Sequence, residues 1–385
     1  MNHNSIFIFS DDYITYRFHD HHPFNQQRLL LTLDLMKELH LIKDSQIVSP
    51  RLATDEELTK IHNSDYIDTV KRAGVGEKIQ DLVLHNYGIG TEDTPVFPHM
   101  HEASSMIVGG TLVAAQKVMS GEVDHAMNIA GGLHHAFRGR ASGFCVYNDI
   151  SVTIDYLREI YDARVLYIDT DAHHGDGVQW AFYDDPNVLT VSLHETGKYL
   201  FPGTGKVTER GEDKGYGYSI NVPLEPYTED ESFLECLHAI LPTITKGFKP
   251  DIIISQNGCD AHSYDPLTHL SCSMRTYQEI PKLVHELAHQ YCEGRWVAVG
   301  GGGYDIWRVV PRAWTMLWAE MSGQPLSNLS IPESWINRWK DKTDIPLPST
   351  LLDDLTTWNP IPRRTEIEHQ NRLTIKKALL HAPRG

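Results

Sequence analysis

The run Asp171-Ala-His-His-Gly-Asp-Gly177 directly follows an apolar stretch, Arg164-Val-Leu-Tyr-Ile-Asp-Thr170. A carboxylate and an imidazole two residues apart, Asp171 and His173, can grip one metal ion from a single short turn, and the glycines let the backbone crowd close to it. The bland alternative is a helix N-cap with a satisfied neighbour. Asp260, at the tip of Asn257-Gly-Cys-Asp260 beyond the apolar run Asp251–Gln256, offers a further oxygen donor. Two carboxylates cancel the charge of Zn²⁺ or Fe²⁺, and a three-ligand set leaves positions open for water and substrate. A closed structural zinc site would draw on cysteines, yet Cys145, Cys236, Cys259, Cys272 and Cys292 form no CxxC spacing.

Gly131-Gly-Leu-His134-His135 places two adjacent imidazoles behind two glycines. Activating a water requires a base for its proton, and expelling an amine requires an acid; a histidine with a pKa of about 6.5 serves either role. Asp169 and Asp176 flank the metal motif and could orient the two rings by hydrogen bonds. Gly300-Gly-Gly-Gly-Tyr304 lacks the Lys-Ser/Thr that would make it a phosphate cradle. It reads instead as a turn that swings the Tyr304 phenol toward the metal, where it can donate to a developing oxyanion.

These candidates share one position relative to the elements that carry them. Strands are expected at Ser5–Ser10, Gln46–Ser49, Asp124–Ala130, Arg164–Asp169, Val188–His194, Tyr218–Val222, Asp251–Gln256 and Trp296–Gly300. Several are continuous apolar runs such as Ile252-Ile-Ile, the mark of strands buried on both faces. Helical stripes lie between them: Leu29, Leu33, Met36 and Leu39, then Val108, Leu112, Ala115 and Met119. Pro311 suits the first turn of another helix carrying Trp314, Leu317 and Trp318. Alternation of this kind predicts an α/β fold with a mainly parallel sheet covered on both faces, and every candidate residue falls just beyond the carboxyl end of a strand, where ligands collect in such sheets.

Composition narrows the class. The 385 residues carry 34 basic and 51 acidic side chains, a formal charge of −17 that argues against nucleic acid or an anionic membrane as partner. The odd, unpatterned cysteines fit a reducing cytoplasm, and Met1–Ser10 has neither the basic nor the apolar part of a signal peptide. No apolar run approaches the ~18 residues that span a bilayer. One domain over 1–320 is expected. The segment 321–385, with prolines at Pro325, Pro332, Pro346, Pro348, Pro360 and Pro362, should lie over it and end in a helix near Glu366–Leu380.

The chain resembles the zinc-dependent histone deacetylase superfamily, in particular the bacterial acetoin utilization deacetylases that are similar to class I enzymes. Tyr16-Arg-Phe-His-Asp20, His22-Pro-Phe24, Gly131–His135, Gly143-Phe-Cys-Val-Tyr-Asn-Asp149, Asp171–Gly177, Phe201-Pro-Gly-Thr-Gly205 and Gly301-Gly-Gly-Tyr304 occur in family order. The resemblance implies a three-layer arginase/deacetylase-like fold around an eight-stranded parallel sheet. It implies Asp171, His173 and Asp260 as ligands of Zn²⁺ (or Fe²⁺) and His135 as general base. His134 would be its electrostatic or acid partner, with Asp176 and Asp169 behind the two rings, and Tyr304 would stabilise the intermediate. Gly143, Phe144 and Phe201 would line a tunnel for an acyl-lysine stem, with Leu267 and Asp93 at its rim and Arg28 in an inner channel. Asp169, Asp171, His173, Ser192 and Leu193 match a structural K⁺ site. The implied activity is hydrolysis of acetyl-lysine in proteins to lysine and acetate, with metabolic enzymes such as acetyl-CoA synthetase as targets.

The sequence departs from the class I pattern at Leu133, where tryptophan is usual, and at Tyr264, where glycine is common. A binuclear manganese ureohydrolase on the same fold would want aspartates where Gly175 and His262 stand. A deacetylase of acetylpolyamines or other small amides would use the same chemistry behind a different rim. A non-catalytic acetyl-lysine-binding module should have lost a ligand, a histidine or Tyr304, and none is missing. Oligomeric state is not encoded in any of these motifs.

Overall fold

The computed structural model describes residues 4–324, 326 and 329–383. All eight expected strands form: β1 (Ser5–Ile8), β2 (Ile47–Val48), β3 (His125–Asn128), β4 (Val165–Asp169), β5 (Val188–Glu195), β6 (Ser219–Leu224), β7 (Ile252–Gln256) and β8 (Trp296–Val299). They make one sheet in the order β2-β1-β3-β8-β7-β4-β5-β6, with every pairing parallel. Ile252, Ile253 and Ile254 have no exposed surface, as a strand covered on both faces requires. β3 is shorter than its apolar run because the amides of Gly131 and Gly300 both donate to the Asn128 carbonyl, turning the chain out of the sheet there.

The strand order decides where the site can be. The chain leaves β3 for β4, runs outward through β5 to β6, then returns so that β7 and β8 fill the gap between β4 and β3. The carboxyl ends of β3, β8, β7 and β4 thereby stand side by side at the point where the winding reverses. The helix Met100–Met119 packs on Asp149–Tyr161 and on β3, whereas Gln27–Glu38, Val310–Met321, Met274–Tyr291 and Asp230–Phe248 pack successively on one another, giving the two covering layers. Both expected stripes face inward, with Leu29, Met36, Val108, Leu112 and Ala115 fully buried, and Pro311 sits in the first turn of its helix.

The segment after Met321 folds back over these layers. A short helix that sequence periodicity did not indicate, Glu333–Trp339, lies on Gln27–Glu38: Trp335 Nε1 donates to the Leu31 carbonyl (3.2 Å) and Trp339 Nε1 to Asp34 (2.7 Å). The terminal helix spans Arg364–Ala378, close to its expected position, and buries Asn371 against Thr228 and Ser232. Of the extension's prolines, Pro325 lies outside the described residues, as do Met1–His3, Arg384 and Gly385. Among the described residues no helix is long and apolar enough to cross a membrane.

One buried ion pair joins the extension to the core. Asp353 is ion-paired with Arg312 (2.9 Å) and accepts from His262 Nε2 (2.9 Å), with all three side chains almost wholly buried. Although burial opposes ionisation, His262 and Arg312 hold the Asp353 carboxyl well below the usual carboxylate range. Asp353→Ala strands a buried guanidinium and should cost about 3–5 kcal/mol, read by urea denaturation. Unchanged stability would show that the pair does not fasten the extension.

Candidate active site

Four neighbouring strands each deliver part of the site. β4 ends at Asp169 and leads to Asp171 and His173; β7 leads to Asp260; β3 leads to His134 and His135; and β8 leads to the glycine turn and Tyr304. His173 Nδ1 stands 3.1 Å from Asp171 Oδ1 and 2.8 Å from Asp260 Oδ2, and the three donor atoms all lie within 4.8 Å of one another. Backbone amides tie the far carboxylate oxygens: Gly302 N donates to Asp171 Oδ2 (2.7 Å) and Ala172 N to Asp260 Oδ1 (2.7 Å). A Cβ on Gly302 would fall 2.1 Å from Asp260 Oδ2, so the turn can approach the carboxylates only as glycine.

The electrostatics of this trio are those of a cation site. Burial and the neighbouring Asp171 charge push Asp260 up to about 7, while His134 and His173 hold Asp171 down against its own burial. The two carboxylates raise His173 far above an ordinary imidazole, although burial opposes this. One nitrogen and two oxygens, with both carboxylates anchored by backbone amides, fit a divalent ion whose charge would offset theirs. His262, where a binuclear centre would want an aspartate, turns away to Asp353.

The histidine pair is built as two dyads. His134 Nδ1 donates to Asp169 Oδ2 (2.8 Å) and His135 Nδ1 to Asp176 Oδ1 (2.7 Å), which leaves both Nε2 atoms for chemistry; His134 Nε2 is 4.0 Å from Asp171. The two environments differ. Burial alone would lower both rings, but Asp169 and then Asp171 outweigh it at His134 and lift that ring to about 9. His135 stays below its ordinary value through burial and the nearby His134 charge, with Asp176 only partly compensating. Groups forced apart in this way divide into acid and base.

Tyr304 packs edge-on against His173 and Phe144, with ring centroids 6.3 Å and 5.8 Å apart. Burial and the charges of Asp260 and Asp171 push its phenol well up, so the hydroxyl keeps its proton and remains a donor. Phe201 lies across His135 (5.1 Å) and His173 (6.4 Å) and is 44% exposed, placing it at the mouth. Gly143, at φ +50°, is pinned between them: a Cβ would meet His135 Cδ2 at 2.5 Å and Phe201 at 2.9 Å. Arg28 is fully buried beneath the glycine turn, donating to the Gly303 carbonyl (3.1 Å) between the rings of Phe24 and Trp314.

The remaining expected residues are placed less centrally. Asp93 is exposed, and its carbonyl is 3.2 Å from His22 Nε2, whose ring packs on Phe144. Leu267 is half-buried, and its amide donates to Asp265 Oδ1 (3.0 Å). Ser192 is the register partner of Asp169, with its hydroxyl turned to His194 (2.7 Å) and Leu193 buried beside it. Leu133 is buried, and its amide donates to Asp149 (2.8 Å). Tyr264 does not face the metal group. It sits between His262 and Trp358 of the extension, with Arg308 over its ring.

Four supporting residues went unassigned in the sequence. Gln256 Nε2 donates to Asp171 Oδ2 (2.8 Å), Tyr167 donates to Asp169 (2.6 Å), and Asp149 accepts the amides of Gly132 and Leu133 that precede the histidines. Asp265 accepts the Tyr304 amide (2.8 Å) as well as that of Leu267. The available signal was a polar residue closing an apolar strand, as in Ile252-Ile-Ile-Ser-Gln256.

Fold and site together define a hydrolase of the deacetylase class. The chain belongs to the histone deacetylase family, whose histone deacetylase domain matches residues 22–321. It is 58% identical over 376 residues to the acetoin utilization protein AcuC of Bacillus subtilis (strain 168), covering 98% of this chain and 97% of that protein. Identity to the protein of the same name from Staphylococcus aureus (strain MSSA476) is 51% over 375 residues, with 97% and 95% covered. Two solved structures are similar at 34% identity over 97% of this chain and 99% of theirs: an HDAC homolog from Aquifex aeolicus (TM-score 0.85) and an HDAC homolog complexed with SAHA (TM-score 0.86).

The dyads predict a pH response. Activity should fall on the acid side as His135 protonates, below its ordinary value, and on the alkaline side as His134 loses its proton near 9. Asp169→Asn removes the largest charge raising His134, so the alkaline limb of kcat/KM should move to lower pH. An unmoved limb would exclude His134 as the group responsible.

Proposed function

We propose that the protein is a zinc-dependent lysine deacetylase that releases acetate from acetyl-lysine in protein substrates. What carries this reading is the Asp171–His173–Asp260 trio facing two His–Asp dyads and a protonated tyrosine. When bound to the trio, Zn²⁺ (or Fe²⁺) supplies a Lewis acid that polarises the amide carbonyl and makes a water acidic enough to react near neutral pH. His135, held by Asp176, takes the water's proton. The His134–Asp169 dyad stabilises the charge that develops beside it, and a histidine returns a proton to the departing lysine nitrogen. Tyr304 O–H donates to the carbonyl oxygen as negative charge gathers there.

Gly143, Phe144 and Phe201 form the channel for the methylene stem, an apolar passage that admits neutral acetyl-lysine more readily than the charged amine. Arg28 Nη2 is buried with no hydrogen-bond partner, which suits it to hold the acetate product. We assign Asp93 and Leu267 to the substrate rim, and the backbone of Asp169, Asp171, His173, Ser192 and Leu193 to a structural K⁺ site. Residues 1–320 form the catalytic domain and 321–385 a packed extension. The names of the relatives support a place in acetoin use; acetyl-CoA synthetase as a target and the cytoplasm as location belong to our proposal.

A polypeptide rather than a small amide is favoured by a groove of about 600 Å³ between Tyr199, Tyr227 and Ile367. Tyr199 precedes Phe201 by two residues in the chain, and the Tyr227 amide donates to the carbonyl of His269, two residues after Leu267. The chelated enzyme should be inert toward an acetyl-lysine peptide and recover with one equivalent of Zn²⁺ or Fe²⁺. Tyr304→Phe should lose about 10²–10³ in kcat. Acetylputrescine turned over in place of the peptide would overturn the substrate, and full activity in Tyr304→Phe would overturn the mechanism.

A further inference from the structure

Among the described residues a second group of metal-capable side chains lies at the other end of the sheet: His125, His285 and His289. His125 opens β3, whose far end leads to the catalytic histidines. His285 and His289 sit four apart on the helix Met274–Tyr291, in the spacing His285-Glu-Leu-Ala-His289, which puts both imidazoles on one helical face. His125 Nε2 is 3.1 Å from His285 Nε2 and 3.3 Å from His289 Nε2. Nitrogens bound tetrahedrally at about 2.0–2.1 Å would stand roughly 3.3 Å apart, which is the spacing found here.

The hydrogen-bond geometry favours an ion over a hydrogen-bonded cluster. His285 Nδ1 donates to Glu320 Oε1 (2.7 Å), so in the neutral ring its Nε2 carries the lone pair, oriented by a carboxylate as metal-bound imidazoles usually are. His125 Nε2 has one in-plane site and can make one linear hydrogen bond, yet it faces two nitrogens. A metal at the common point serves all three. His125 and His285 are buried against Trp296, whereas His289 is exposed, which gives the ion an entry path and a fourth position open to water.

We propose that His125, His285 and His289 form a second site for a borderline transition-metal dication such as Zn²⁺, Ni²⁺ or Co²⁺, separate from the catalytic centre and pinning the helix Met274–Tyr291 to the start of β3. The site does not depend on the deacetylase reading, because its occupancy is measured without turnover. The full chain, prepared without a polyhistidine tag and stripped of metal, would be titrated with Zn²⁺ against a chromophoric chelator. Two ions per chain are expected in the wild type and one in His289→Ala, with kcat/KM on the acetyl-lysine peptide unchanged at full catalytic loading. His173→Ala should keep one ion, raise its Tm on binding it, and lose both effects when His289→Ala is added. One ion per chain in the wild type, or two in both wild type and His289→Ala, overturns the proposal. So does a Tm loss in His289→Ala that is equal with and without zinc, since that marks a packing role.

Discussion

Two carboxylates buried side by side are the constraint around which the molecule is arranged. Asp171 and Asp260 have almost no exposed surface, and water cannot screen them from each other. Burying one ion costs several kcal/mol, and a second like charge at hydrogen-bonding range from the same imidazole adds to that. Amides of Ala172, His173 and Gly302 and the Gln256 side chain each return one hydrogen bond. The Gly302 bond requires the backbone to come within contact distance of both carboxylates, which explains why that position of the turn after β8 is glycine. The net negative charge left over is what a divalent cation neutralises. The inserted strands β7 and β8 exist in that place because they bring Asp260 and the glycine turn between the ends of β3 and β4.

The same charge sets the division of labour between the histidines. Two rings 4.0 Å apart between centroids cannot both be cationic at low cost. His134 faces Asp169, Asp171 and Asp176, whereas His135 faces Asp176 but also the rings of His134 and His173, so positive charge is favoured on His134. Spacing alone does not tell the two histidines apart, although the family resemblance does; the packing supplies the physical difference. Tyr167, hydrogen-bonded to Asp169 alone, adds to that difference by fixing the carboxylate that holds His134.

What was legible in the sequence was chemistry compressed into short spacings. Asp171 and His173, the histidine pair and the Gly-Tyr304 turn each announce themselves locally, and buried parallel strands leave apolar runs that mark all eight positions of the sheet. Partners that meet only in three dimensions left no such mark. Asp149 holds the amides before the histidines, Asp265 holds Tyr304, and His125 meets His285 across 160 positions of sequence. Tyr264 shows the same limit. The sequence marks it as a departure from a family pattern, and only the fold shows its ring packed against His262 and Trp358.

That placement bears on the segment after Met321. Asp353 and Trp358 belong to the extension, and both touch the loop that runs from Asp260 to Leu267, at His262 and Tyr264. One end of that loop is a metal-capable carboxylate. Its middle, Asp265, accepts the Tyr304 amide, and its far end is the Leu267 rim. The extension thus packs on the segment that carries Asp260, the Asp265 carboxylate that accepts the Tyr304 amide, and Leu267. The region with few strands and many prolines is therefore in contact with the loop that follows β7, through Asp353 and Trp358.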